Sequence, residues 1–218
     1  MGVFPRIGAA TLGGPAPMGT TATDPGAAIA IEQGRATVLD MATEPHVHLA
    51  VWNRQLPPPL APLRELDWTA IDDLEFEVRI DDLDDTVAEA LAQAGYCDDA
   101  LRAALRDEIA MLARRFAGIF AVDAVTVRLE WIETDACRKF HVDHVTARLL
   151  CSLLGPGTQW VYGERAENRL IRQMRAGDVG IFKGRRATDK PMVLHRSPPI
   201  AETGDVRLLL AIDPPGAR

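Results

Sequence analysis

Two histidines and one aspartate have the residue types and the spacing of a divalent-metal site. His141 and Asp143 are separated by one residue within 139–145, a predicted strand, so both side chains should project from the same face. His195 lies 52 positions after Asp143 and also falls on a predicted strand. If these strands are neighbours, the three side chains form a two-histidine, one-carboxylate face with open coordination positions, as in non-haem Fe(II) oxygenases.

Arg207 adds a group suited to binding an organic acid beside that metal. It lies twelve residues after His195, at the start of the last predicted strand. Its planar guanidinium can hold a carboxylate through two parallel hydrogen bonds. Arg148, five residues after Asp143, is expected either to contact the Asp143 carboxylate or to form a salt bridge elsewhere.

Cys137, four residues before His141, leaves the identity of the metal open. We interpret this side chain first as a small buried hydrophobic group. Under the alternative, its thiolate is a fourth ligand, and soft sulfur favours Zn(II) over Fe(II). A closed four-ligand site would be structural or would store metal, whereas an open three-ligand site would be catalytic.

The elements that must position these residues are short strands in the second half of the chain, preceded by helices. Helices are predicted at about 84–116, where apolar residues repeat at helical spacing. Residues 1–35, rich in Gly, Ala, Pro and Thr, are expected to be a disordered tail. Regularly spaced strands separated by Gly/Pro turns favour a sandwich or a barrel. Strands are predicted at 46–52, 74–80, 125–132, 139–145, 147–154, 158–162, 179–183, 192–196 and 206–212.

Composition excludes several classes of function. The formal net charge of −7 argues against a nucleic-acid surface, which needs a basic face, and against binding an anionic membrane. Three cysteines make no disulfide framework, so we expect a cytoplasmic protein. Neither serine lies in a Gly-x-Ser-x-Gly turn, and no phosphate-binding glycine loop precedes a Lys-Ser/Thr pair. The acidic segment 72–89 is interpreted as a solvated face.

At these residues the chain resembles the 2-oxoglutarate/Fe(II) dioxygenase superfamily, which is cupin-like. Its pattern is His-x-Asp, a distant His, and then an Arg or Lys, and here His141, Asp143, His195 and Arg207 match it in order. The similarity to prolyl-hydroxylase-type members covers 125–214 and includes the turn RAGDVGIF at 175–182. It implies Fe(II) and 2-oxoglutarate as cofactors, with Arg207 on the distal carboxylate. The expected fold class is α+β: one double-stranded β-helix (jelly-roll) domain at 36–218 with a helical N-terminal layer.

The chain is also similar to an uncharacterised bacterial family, a domain of unknown function linked to metal homeostasis. The shared segments are EPHVHLAVW, CRKFHVDHVTARLL, AGDVGIFKG and LHRSPP. Three hypotheses remain: an oxygenase acting on a small molecule or a protein side chain, a non-catalytic Zn(II)-binding protein that uses Cys137, and a cupin-like sensor with a structural metal. The sequence leaves the oligomeric state open, with a homodimer as one option.

Overall fold

A large, mostly antiparallel β-sheet dominates the fold. The computed structural model describes residues 29–135, 137–163 and 170–216. The helices are α1 (Leu83–Gln93) and α2 (Asp99–Phe120), and four 3₁₀ helices cover Ala36–Thr43, Pro58–Glu65, Trp68–Ala70 and Ile80–Asp82. The strands are β1 (Ala30–Gln33), β2 (Leu49–Trp52), β3 (Leu74–Arg79), β4 (Ala124–Ile132), β5 (Ala147–Leu154), β6 (Gln159–Tyr162), β7 (Arg172–Gln173), β8 (Val179–Lys183), β9 (Val193–Arg196) and β10 (Arg207–Asp213).

The strands form two sheets, one of seven strands and one of three. The larger sheet has the order β1-β2-β8-β5-β10-β4-β3, and the smaller has the order β7-β6-β9. In the larger sheet only the β1–β2 pair is parallel. A mixed α and β architecture with a large sheet therefore agrees with the sequence-based expectation.

Both faces of the larger sheet are buried at its centre. On one face, alternate residues of β5 (Leu149, Cys151 and Leu153) share a core with residues of α1 and α2. On the other face, Leu150 packs in a second core with Trp160 of the smaller sheet. Burial on both faces explains why β5 and β10 are nearly continuous apolar runs rather than alternating ones.

Helix α2 ends at Phe120, four residues beyond the predicted helical limit of about 116. The Asp98 carboxylate accepts a hydrogen bond of 2.7 Å from the Leu101 N–H and so caps the first turn. Gly118 does not end the helix; the helix continues to Phe120 and ends at Ala121, whose φ of 52° is left-handed. Packing of Phe116 against Phe120, with ring centroids 4.7 Å apart, offsets the weak helix preference of the glycine.

Two boundaries predicted from the sequence need correction. Residues 30–33 of the predicted tail form β1, because the Ile29 carbonyl accepts hydrogen bonds from the N–H groups of His48 and Leu49 and this pairing adds a strand beside β2. Residues 1–28 lie outside the described part of the chain. Segment 139–145 is not a regular strand; it contributes a single bridge, between His141 and His195.

Among the described residues, no helix has the length and apolar content needed to cross a membrane.

Candidate metal centre

Backbone hydrogen bonds pair His141 with His195. His141 N–H donates to the His195 carbonyl at 2.9 Å, and His195 N–H donates back to the His141 carbonyl at 3.0 Å. This one-residue bridge joins a loop to β9 and places the two imidazole centroids 4.7 Å apart. Val142 is buried against Val161 and Leu194, so it anchors the loop between the two polar side chains that flank it.

Asp143 completes a group of three candidate ligands, which we call the metal triad (His141, Asp143 and His195). One ligand atom from each residue lies within 4.8 Å of the other two. His141 Nε2 is 3.6 Å from Asp143 Oδ1, and His195 Nε2 is 3.0 Å from Asp143 Oδ2. The sequence prediction that these three side chains meet agrees with the structure, although the strand expected to carry the first two is a loop.

Two observations show that the metal triad fits a divalent cation. Asp143 Oδ2 is buried and has no hydrogen-bond partner among the described residues, because the nearby His195 nitrogen is not aligned for a hydrogen bond. A buried carboxylate oxygen without a partner is unfavourable unless a cation satisfies it. His141 Nδ1 lies 2.9 Å from the Lys139 carbonyl, which selects the tautomer that leaves Nε2 free as a ligand.

The protonation of the metal triad also suits cation binding. Burial alone would raise the pKa of Asp143, but the nearby His141 and His195 side chains and the charge of Arg148 lower it well below its usual range. Burial lowers the pKa of His195, so its ring is neutral at pH 7. Interaction with Asp143 raises the pKa of His141, so protonation competes with metal binding at this ring at higher pH than it would for an isolated histidine.

Arg148 contacts the metal triad directly. Its Nη1 donates to Asp143 Oδ1 at 2.6 Å, while Nε and Nη2 donate to the two oxygens of Asp213 at 2.7 and 2.9 Å. Both sequence-based alternatives for Arg148 therefore hold at once, since it touches the candidate ligand and also forms a salt bridge.

Arg207 is buried without an acidic partner among the described residues. It is 1% exposed, and its Nε, Nη1 and Nη2 donate to a hydroxyl cage formed by Ser152, Ser197 and Thr158, at 2.9, 2.9 and 2.6 Å. Burial lowers the pKa of Arg207 to about 10. Among the described residues the hydroxyls satisfy three of its five N–H donors, and no carboxylate forms an ion pair with it, although the charge of Glu130 acts on it from farther away. A buried arginine without a direct carboxylate partner is suited to binding an anion.

One cavity of about 400 Å³ is lined both by the two histidines of the metal triad and by Arg207. Its wall combines charged, polar and apolar side chains from β4, β5, β9, β10 and the loops beside them. The lining residues include Arg128, Glu130, Ile132, Cys137, His141, Arg148, Leu150, Thr158, His195, Ser197, Arg207 and Leu209. An organic acid on Arg207 would therefore share this space with a cation on the metal triad.

Cys137 lies on the cavity wall but outside the metal triad. The interpretation of this residue as a buried side chain is wrong, because Cys137 is exposed in a turn with a left-handed φ of 57°. Its backbone carbonyl accepts the Ser197 N–H at 3.1 Å, which fixes the turn beside the hydroxyl cage. Its sulfur is not among the ligand atoms that lie within 4.8 Å of one another.

Sequence reasoning missed the hydroxyl cage and Asp213. The cage residues come from β5, from the position just before β6 and from the position just after β9, and Asp213 is 65 positions from its partner Arg148, so no local pattern marks them. One signal was present: the chain has only two serines, Ser152 and Ser197, and both bind Arg207.

The chain belongs to the DUF1826 family, described as a protein of unknown function, whose profile matches residues 34–213. No curated protein matches it. Among solved structures it is similar to the rice dioxygenase for auxin oxidation, with a TM-score of 0.50, 12% identity, and coverage of 84% of this chain and 81% of that one. It is also similar to the Arabidopsis thaliana dioxygenase for auxin oxidation 1 in complex with 2-oxoglutarate, with a TM-score of 0.44, 11% identity, and coverage of 84% and 91%. The similarity to the rice protein supports the dioxygenase-type fold and, at this identity, nothing finer.

Proposed function

We propose that this protein is an Fe(II)- and 2-oxoglutarate-dependent oxygenase. The observation that carries the proposal is the buried Arg207, which forms no ion pair with a described carboxylate and lines the same cavity as His141 and His195. A buried guanidinium is unfavourable without an anion, so its retention beside a candidate metal site is best explained by a carboxylate ligand.

The fold supports the same proposal. The two sheets face each other across a shared apolar core that contains Leu150, Trp160 and Leu209. We infer that they form a double-stranded β-helix, with α1 and α2 in a helical layer on the outer face of the larger sheet. Similarity to the rice dioxygenase supports this architecture.

Each group of the site has a distinct task in this proposal. The metal triad holds Fe(II) through two imidazole nitrogens and one carboxylate oxygen. Arg207 retains one unused N–H on each terminal nitrogen, and this fork is matched to the distal carboxylate of 2-oxoglutarate. Bound Fe(II), with 2-oxoglutarate and O₂, supplies the oxidising power that removes hydrogen from a substrate.

The substrate would occupy the part of the cavity that β4 lines. Arg128, Glu130 and Ile132 face it from alternate positions of β4, which pairs with β10. Both a small molecule and an inserted protein side chain are compatible with its size. The buried side chains of Leu150 and Leu209 give the cavity an apolar wall, which would disfavour water beside the reacting centre.

An anaerobic titration of the apo protein with Fe(II) and 2-oxoglutarate tests the proposal. We expect a visible metal-to-ligand charge-transfer band that appears only when both are present and saturates at one equivalent of each. Arg207→Met is the matched variant and should give no band at the same concentrations. Tight stoichiometric Zn(II) binding without any band in the wild type would sink the oxygenase and favour the zinc-binding alternative.

A further inference from the structure

An ion-pair network behind the metal triad links two strands of the larger sheet. Arg148 lies near the start of β5 and Asp213 at the end of β10, which pair as neighbours. The side chain of Arg148 is 18% exposed and that of Asp213 is 1% exposed. Two parallel hydrogen bonds between them fix the plane of the guanidinium, and the third nitrogen then reaches Asp143.

We propose that Arg148, oriented by Asp213, is a positioning residue that presents Asp143 to the metal through Oδ2 alone. This inference rests on the proposed metal site, although not on the oxygenase reaction. It assigns the two oxygens of one carboxylate to different partners, with Oδ1 bonded to Arg148 and Oδ2 left for the cation.

The geometry of Asp143 supports this division. Oδ1 receives the 2.6 Å hydrogen bond from Arg148, whereas Oδ2 is buried and has no hydrogen-bond partner among the described residues. A carboxylate that is free to rotate can chelate a divalent cation with both oxygens and so occupy one more coordination position. A carboxylate held at Oδ1 occupies one position and leaves the others for exogenous ligands.

The charges of the network favour a cation rather than repel it. An arginine alone beside a divalent ion would weaken its binding by like-charge repulsion. Here Asp213 accepts two hydrogen bonds from Arg148 and compensates its charge, and Arg128 lies farther away, 3.5 Å from an Asp213 oxygen. Asp213 therefore acts through Arg148, both by fixing its orientation and by offsetting its charge.

A purely structural salt bridge is the competing explanation, and the chain contains a suitable control. Arg54 forms a buried salt bridge with Glu108, and the two side chains are 10% and 5% exposed. Neither residue lines the cavity that contains the metal triad. Arg54→Gln therefore removes a buried arginine from an ion pair without touching Asp143.

The test is a titration of the apo protein with Co(II), followed by calorimetry and by the visible ligand-field spectrum. We expect Arg148→Gln and Asp213→Asn to weaken Co(II) binding by about 10- to 100-fold and to change the spectrum, as the coordination of Asp143 changes. Arg148→Lys should recover part of the affinity, because its amine can still reach Oδ1. Arg54→Gln should lower the melting temperature while keeping the wild-type affinity and spectrum.

Wild-type Co(II) affinity and spectrum in both Arg148→Gln and Asp213→Asn would overturn the positioning role. If Arg148→Gln does not fold, Asp213→Asn decides: an affinity and a spectrum identical to the wild type contradict the proposal, and a weakened affinity with a changed spectrum supports it. Wild-type protein that binds no Co(II) overturns the metal site and this inference together. Wild-type protein that binds Co(II) but not 2-oxoglutarate contradicts only the oxygenase.

Discussion

Replacing Arg207 with methionine should remove 2-oxoglutarate binding while leaving the apo fold almost as stable as before. Burial lowers the pKa of Arg207 from 12.5 to about 10. At about 1.4 kcal/mol for each tenfold change in a protonation equilibrium, this corresponds to about 3 kcal/mol against burying the charged form. The three hydrogen bonds to the hydroxyl cage contribute roughly 0.5–1.5 kcal/mol each in the opposite direction. These contributions nearly cancel, so we expect the free energy of unfolding to change by no more than about 1–2 kcal/mol.

Arg148→Met is the matched comparison, because Arg148 lines the same cavity but has two carboxylate partners. Its removal takes the short hydrogen bonds from both carboxylates, leaving Asp213 only the 3.5 Å contact with Arg128, and should lower stability by about 3–5 kcal/mol. For a chain of this size that is a fall of roughly 10 °C in melting temperature.

The assay is thermal unfolding of the three proteins with and without Mn(II) and 2-oxoglutarate. At a ligand concentration 100-fold above its Kd, the wild type should gain about 2.7 kcal/mol from 2-oxoglutarate, and Arg207→Met should gain none. Equal stabilisation of Arg207→Met and wild type by 2-oxoglutarate would refute the reasoning. So would an apo Arg207→Met variant that is as destabilised as Arg148→Met.

Three further outcomes are expected. His195→Ala should weaken divalent-metal binding by at least about 100-fold in calorimetry, whereas Cys137→Ala, whose sulfur lies outside the metal triad, should stay within about twofold of wild type. Glu108→Gln should lower the free energy of unfolding in urea by about 3–5 kcal/mol, because it leaves Arg54 buried and unpaired, while metal affinity is unchanged. Burial lowers the pKa of His48 below 6.5, so the unfolded chain binds the proton more readily and stability should fall as pH drops below about 6.5. Urea midpoints at pH 7.5 and 5.5 should differ less in His48→Gln than in wild type, and an equal difference would contradict the assignment.

The metal triad was predictable because residue type and spacing carry most of the signal. His-x-Asp and a later histidine define the donor set even where the strand expected to carry the first pair is a loop with one bridge. The positions of β5 and β10 were also predictable, since long apolar runs between turns mark strands buried on both faces.

The surroundings of the metal triad depend on strand pairing that local patterns do not encode. Arg148 meets Asp213 only because β5 and β10 are neighbours in the larger sheet. The hydroxyl cage assembles around Arg207 for the same reason, from residues 10, 49 and 55 positions away. β1 was not predicted because its four residues, two apolar and two polar, carry little pattern of their own and form a strand only by pairing with the edge of β2.

A crystal structure of the protein with Mn(II) and 2-oxoglutarate, grown without oxygen, tests the central claim most directly. We expect one metal ion bound by His141 Nε2, His195 Nε2 and Asp143 Oδ2, with the distal carboxylate of 2-oxoglutarate on the free N–H groups of Arg207. A metal ion that also takes Cys137 as a ligand, or a metal-loaded cavity in which Arg207 holds no carboxylate, would contradict the assignment.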